Sequence, residues 1–233
     1  MKKLGILIFA VALILGIVVT NMFSVGRAAG RIFHLDLDFK GVKGSGNVAT
    51  EHRDVIDFSS IDVGGVYQVE IVAGKEFSVT VEADDNILPL IKTEVEDGTL
   101  KIGSERRISP KTTVRIRISA PVIERLEVSG VANVNMSGVN NSELAIDSSG
   151  ASKIAVSGTT AKLNVEVSGA TRVDAAELQA DSASVEASGA SNVSVSVLRE
   201  LEANASGASH VTYAGSPTEL RKDTSGAGSV TQR

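Results

Sequence analysis

Leu163-Asn164-Val165-Glu166-Val167-Ser168-Gly169-Ala170-Thr171-Arg172-Val173 is the stretch that decides the fold. Its first five residues alternate aliphatic with polar, the period of a strand that turns one face to a core. Ser168-Gly169 interrupts the alternation, and an aliphatic residue returns five positions after the serine. The unit recurs at Ser129-Gly130, Ser149-Gly150, Ser188-Gly189, Ser206-Gly207 and Ser225-Gly226. Successive spacings are 20, 19, 20, 18 and 19 residues, and the fifth residue after each serine is Val134, Ile154, Val173, Val193, Val211 or Val230. Self-similarity at a fixed period signals stacked repeats.

A unit of about 19 residues holding two or three short strands predicts an all-β fold, a right-handed parallel β-helix or solenoid with rows roughly 4.8 Å apart. The glycine is expected at a corner, where the backbone needs positive φ or where no side chain fits between rows. One unit buries a handful of aliphatic residues, each worth about 1.5–3 kcal/mol, against an ordering cost of about 1–2 kcal/mol per residue. Stability must therefore come from stacking.

Working outward from the regular units at 129–233, residues 55–128 are also strand-rich but irregular. Tyr67-Gln68-Val69-Glu70-Ile71, Phe77-Ser78-Val79-Thr80-Val81 and Val114-Arg115-Ile116-Arg117-Ile118 alternate, as opening coils or a cap would. Asn86-Ile87-Leu88-Pro89-Leu90-Ile91 breaks the pattern and predicts a short helical turn. Residues 27–54 read as a tether, Gly/Lys-rich from Gly41 to Asn47. Gly44-Ser45-Gly46 reads there as a hinge, because it lacks the helix and lysine of a phosphate loop.

Residues 1–26 carry Met1-Lys2-Lys3 and an unbroken apolar run from Leu4 to Val19. The run lies between the length of a cleaved signal and that of a spanning helix. A single N-terminal transmembrane or signal helix is expected, uncleaved by preference. The lysines favour the cytoplasmic side, which places the rest in the periplasm or outside the cell, or secretes it if the segment is cleaved.

Hydrophobic residues make up 42% of the 233 residues and aromatics only 3%. Small and β-branched residues in this balance suit thin strand layers. A net charge of -5 argues against nucleic acid as a partner. With no cysteine, disulfides, thiolate metal sites and cysteine nucleophiles are excluded.

Aligned on the serine, the repeats form outward columns. Two positions before it stand Glu127, Asp147, Glu166, Glu186, Asn204 and Asp223, an acidic ladder able to hold divalent cations or a basic partner. Solvated outward positions that discourage aggregation are the plainer account. Four positions after it stand Asn133, Lys153, Arg172, Asn192, His210 and Ser229. The serines themselves are expected to stack their hydroxyls along the corner, or to meet sugar hydroxyls. Arg106, Arg107, Lys111, Arg115, Arg117 and Arg125 form the basic concentration, a candidate surface for anionic glycan or lipid, although a solvated face explains it too. Asp36 and Asp38 make an acidic strand face with a weak metal reading. His34, His52 and His210 lack metal spacing and leave the serines without an evident base, so no catalytic residue and no cofactor is assigned.

Asp57-Phe58-Ser59-Ser60-Ile61-Asp62-Val63, Gly98-Thr99-Leu100-Lys101-Ile102, Ser119-Ala120-Pro121 leading into Leu126-Glu127-Val128-Ser129-Gly130, and the Ser-Gly-Ala-Ser units together resemble the bacterial head GIN domain family of auto-transporter-like adhesins. The resemblance spans Asp57 to Arg233. It implies an envelope-associated β-solenoid and brings no catalytic residues.

A non-enzymatic, envelope-anchored binding or scaffold module follows as the first functional expectation, with a protein or glycan ligand. Self-association is a further expectation, since Ser229-Val230-Thr231-Gln232-Arg233 shows no amphipathic cap. A carbohydrate-active β-helix enzyme is the alternative, although short uniform units leave little length for cleft walls. An accessory sensor for an envelope signalling partner is the other.

Overall fold

The computed structural model describes residues 41–233. The expected N-terminal helix at 1–26, and His34, Asp36 and Asp38, lie outside the described residues. Among the described residues no helix is long and apolar enough to cross a membrane. The fold is all-β. In chain order the strands are β1 (Val42–Lys43), β2 (Val48–Arg53), β3 (Ser60–Ala73), β4 (Ser78–Asp84), β5 (Ile91–Glu96), β6 (Thr99–Ser104), β7 (Ile108–Ser109) and β8 (Arg115–Ala120). The long β9 (Arg125–Gly150), β10 (Lys153–Gly169), β11 (Arg172–Ala187) and β12 (Asn192–Ala205) follow, then β13 (His210–Ala214), β14 (Glu219–Thr224) and β15 (Ser229–Gln232).

Successive repeats pair in parallel with matching positions opposed. Asn133 pairs with Lys153, Lys153 with Arg172, Arg172 with Asn192, Asn192 with His210, and His210 with Ser229. From Gly150 onward the strands break at the serine–glycine corner, as where β10 ends at Gly169 and β11 begins at Arg172, whereas β9 runs unbroken through Ser129-Gly130. The corner glycines lie on one another. A Cβ on Gly169 would stand 2.5 Å from the Gly150 carbonyl oxygen, and one on Gly130 2.6 Å from that of Gly65. Both glycines also hold φ in the left-handed half, +95° and +124°, so a side chain is excluded by contact as well as by backbone strain. Each corner is tied to the one below by an amide, as in Ala170 N–H to Gly150 O at 2.8 Å.

Inward positions fill the space between the strand faces. Leu163, Val165 and Ile154 are fully buried and continue one another from row to row as Leu144, Ile146 and Val134. The corner closes on hydroxyls rather than aliphatics: Ser152, Thr171, Ser191 and Ser209 are buried, three positions after each corner serine. Ser191 Oγ donates to Ser188 O at 2.9 Å and Ser209 Oγ to Ser206 O at 2.7 Å, each binding its own turn. Near Ser148 the hydroxyls bond one another, with Ser148 Oγ 2.7 Å from Ser152 Oγ and 3.2 Å from Thr171 Oγ1. Buried hydroxyls find partners in this way because leaving them unmet is costly.

The opening part uses the same template in a different chain order. Strand β3 pairs with the first half of β9 residue for residue, setting Gly65 beside Gly130 and Val69 beside Val134. On its other side β3 pairs in parallel with β6 and β8, matching Ile61 to Leu100 and Ile71 to Ile118. Antiparallel strands finish this end: β4 on β8, β2 on β4, and β5 on β6. A 3-10 helix at Leu88–Leu90 supplies the expected helical turn.

The tether expected over 27–54 is corrected for its described part. Val42–Lys43 pairs with Ile108–Ser109, and Val48–Arg53 is a strand of the main sheet. Nor is Gly44-Ser45-Gly46 a free hinge. Asp84, fully buried, accepts the amides of Gly46 and Lys111 at 2.8 Å each and of Thr112 at 3.3 Å. Asn86 accepts the Ser45 amide at 2.8 Å and donates to Lys43 O at 2.8 Å. Composition suggested flexibility, but glycine here admits the close approach of Asp84, whose carboxylate occupies the place of a Gly44 side chain. Burial pushes the Asp84 carboxyl up, and the amide donors outweigh it, holding the group below the usual carboxylate range.

Candidate functional site

Immediately before the corner, each repeat turns position −2 outward, −1 inward and the serine outward, so stacking converts three residues into three stripes. Between the outer two runs a groove of about 490 Å³, from Glu127 in β9 to Asp223 in β14. One wall is the acidic ladder. Glu166 stands directly beside both Asp147 and Glu186, and Glu186 beside Asn204. The other wall is the serine column.

The groove exists because the corner is built from residues too small to fill it. Serine is followed by glycine, which cannot carry a Cβ there, and from Gly150 onward by a short exposed alanine. The corner serines, expected to stack their hydroxyls along the corner or to meet sugar hydroxyls, are exposed or half-buried, and the buried hydroxyls are those of Ser152, Thr171, Ser191 and Ser209. Ser149, Ser168, Ser206 and Ser225 line the groove instead, and only Ser188 Oγ turns back, to Val167 O at 3.3 Å. The Ser-Gly-Ala-Ser/Thr spelling held the signal, since the fourth residue is in phase with the inward Val173, Val193 and Val211.

Charge on this face is only partly balanced. Arg125 meets Asp147 at 2.6 Å, Lys162 meets Glu143 at 3.1 Å and Arg221 approaches Glu202 at 3.6 Å. Glu127, Glu166, Glu186 and Asp223 have no ion-pair partner among the described residues. Neighbouring rows lie about 4.8 Å apart, so the unpaired carboxylates repel by ~1 kcal/mol or less in water. The arrangement is a line of carboxylates, interrupted at Asn204, and not a cage. Among the described residues no three His, Asp or Glu converge as metal ligands would.

At its opening end the column changes sign. Asp62 is flanked by Glu127 on one side and Lys101 on the other. Lys101 is held by Glu96 at 2.6 Å, and that hydrogen bond raises the lysine above its ordinary value. Gly64 and Gly103 stand where later rows have serine, and a second hollow of about 340 Å³ lies there. Sequence periodicity missed this hollow because β6 enters the stack from the far side of β3.

Several members of the basic concentration have partners within the fold. Arg115 and Arg117 do share one face of β8, but each is spanned by a carboxylate: Arg115 to Glu82 at 2.8 Å and Arg117 to Glu70 at 3.7 Å. Lys111 donates to Ser45 O at 3.0 Å in the loop around Asp84. Arg106 and Arg107 stay exposed on the turn between β6 and β7. Of the cationic column, Lys153, Arg172 and His210 are exposed on the strands that leave the corner, beyond the glycines.

A family model described as "Putative auto-transporter adhesin, head GIN domain" matches residues 57–217. A crystal structure of a "putative adhesin" from Bacteroides fragilis NCTC 9343 aligns with 83% of this chain and 100% of its own, at a TM-score of 0.71 and 23% identity. Another, a "putative adhesin" from Parabacteroides merdae ATCC 43184, covers 83% and 99% at a TM-score of 0.50 and 15% identity. At these identities the likeness is one of fold. None of the curated proteins matches the sequence.

Proposed function

Because the chain belongs to the head GIN domain family of adhesin-like proteins, we propose that it is a non-enzymatic binding module working outside the cytoplasm. Its stacked repeats form a right-handed parallel β-solenoid, and the groove along the serine–glycine corner is its binding face. One observation carries this reading: the groove runs from Glu127 to Asp223 with carboxylates on one wall and serine hydroxyls on the other. The row-by-row parallel register supports the solenoid, and right-handed winding is the rule for parallel crossovers. Lys2-Lys3 and the apolar run to Val19 support attachment to a membrane with the repeats on its outer side. Repeated hydroxyls and carboxylates at a strand spacing suit an extended partner, a glycan chain or a basic peptide strand, bound through many weak contacts.

Retention of the chain on immobilised glycans and basic peptides tests the proposal, with a Glu166→Gln, Glu186→Gln double variant beside it. Retention by the wild type and its loss in the variant, at unchanged circular dichroism, is the expected result. Equal retention of both would remove the groove from the account.

A further inference from the structure

The inward column that lines the core reads Leu126, Ile146, Val165, Val185, Ala203 and then Lys222. Every earlier member is fully or almost fully buried. Lys222 breaks the column in the last described row. Its Nζ lies 4.6 Å over the Tyr213 ring and donates to Val230 O at 3.4 Å, so the side chain crosses from β14 toward β15 over the end of the core. Gln232, likewise in an inward phase, donates to Gly215 O at 2.8 Å. Strand β14 pairs with β12 alone, and β15 with β13 alone, so each has one main-chain edge without a strand among the described residues. Four of the six residues of β14 are charged and all six are exposed, with Leu220 at 44%.

An edge of this kind invites pairing with another chain, and an inward-pointing charge is one of the devices that prevent it. A further row laid on β14 would enclose the Lys222 ammonium in an apolar interior with no carboxylate at hand, a heavily penalised arrangement. We infer that Lys222 closes this end of the stack against strand addition by a second copy of the chain. The expected end-to-end association is thereby held off by one residue, and a partner is left to approach the sides, where the groove lies.

The test compares the full chain with Lys222→Leu, Lys222→Ala and Lys222→Arg variants. Light scattering and amide hydrogen exchange of Glu219–Thr224 are followed from dilute to concentrated protein. Wild type and the arginine variant should keep the mass of the 24.2 kDa monomer and concentration-independent exchange in β14. The leucine variant should double in mass, with β14 amides that become protected as concentration rises, and the alanine variant should do so more weakly. The alanine variant decides if leucine prevents folding. Folded neutral variants whose β14 exchange stays independent of concentration would overturn the inference, as would wild-type protein whose β14 amides gain protection on concentration.

Discussion

From Lys153 to Ala214 each row follows its neighbour at about nineteen residues, whereas Gly65 and Gly130, in contact in the same manner, are separated by the whole of β4 to β8. The regular part adds one parallel-paired row at a time. The opening part lays down β3, leaves it, and returns to its far side with β6 and β8 before β9 resumes the stack. Adjacency in the sheet thus does not require adjacency in the chain, provided the inward and outward positions agree. The two ends differ for the same reason. Antiparallel β2, β4 and β5 cover the opening end, while the other described end is formed by the charged β14, which carries Lys222, and by β15.

Glycine substitutions offer the largest test of the contrast. Gly169→Val puts a branched side chain against the Gly150 carbonyl at φ +95°, and a loss of about 3 kcal/mol or more is expected by denaturant unfolding. Gly98→Ala, in the β5–β6 turn of the opening part, has the same kind of φ, +73°, but nothing within 4 Å of the added carbon. Only the backbone cost of about 1 kcal/mol should appear. Equal losses at the two sites would show that rows do not press on one another at the corner.

Next comes Asp84, which binds the first strands of the opening part to its loops. Asp84→Asn should lower Tm and speed exchange of the Gly46 and Lys111 amides, with the regular repeats unaffected. Its folded value lies below the ordinary aspartate value of 3.8, so the stability it brings is present above that value and is lost as pH falls through the folded one. The difference in Tm between wild type and variant should therefore shrink only on acidification below pH 3.8, and a difference that disappears near neutrality would contradict the amide cradle.

Two serines in neighbouring rows separate the corner's two roles. Ser191→Ala removes the buried hydroxyl bond to Ser188 O and should cost about 1 kcal/mol. Ser168→Ala, on the groove wall, should change stability by about 0.5 kcal/mol at most. Smallest of all, Glu166→Gln relieves the repulsion from Glu186 and should stabilise by up to about 0.5 kcal/mol while weakening ligand retention. A clear destabilisation would mean that Glu166 has a structural partner.

How far the sequence could be read follows from what each residue has to signal. Ser-Gly at a constant spacing announces the rows from 129 onward, because the corner excludes any other residue at Gly150 or Gly169. Gly65 lies beside Gly130 in the same stack, yet a single glycine far out of phase gives no period to detect. The acidic ladder was legible because identical phase makes a stripe in any stack; its groove was not, since a hollow depends on the small size of several residues together. Arg115 and Arg117 read as a basic face because their neutralising partners, Glu82 and Glu70, lie on other strands. Lys222 was visible in principle: it alone is charged in the inward column, and only knowledge of which phase faces the core gives that meaning.

The most direct measurement of the central claim uses the outward column Asn133, Lys153, Arg172, Asn192, His210 and Ser229. The native chain has no cysteine, so pairs of introduced cysteines carry spin labels at chosen sites only. Labels at Asn133 with Asn192, His210 and Ser229 span three, four and five rows, and pulsed electron resonance should give separations rising by a constant step of about 4.8 Å, near 14, 19 and 24 Å. Distances that fail to rise by a constant step would show that the repeats do not lie one on another.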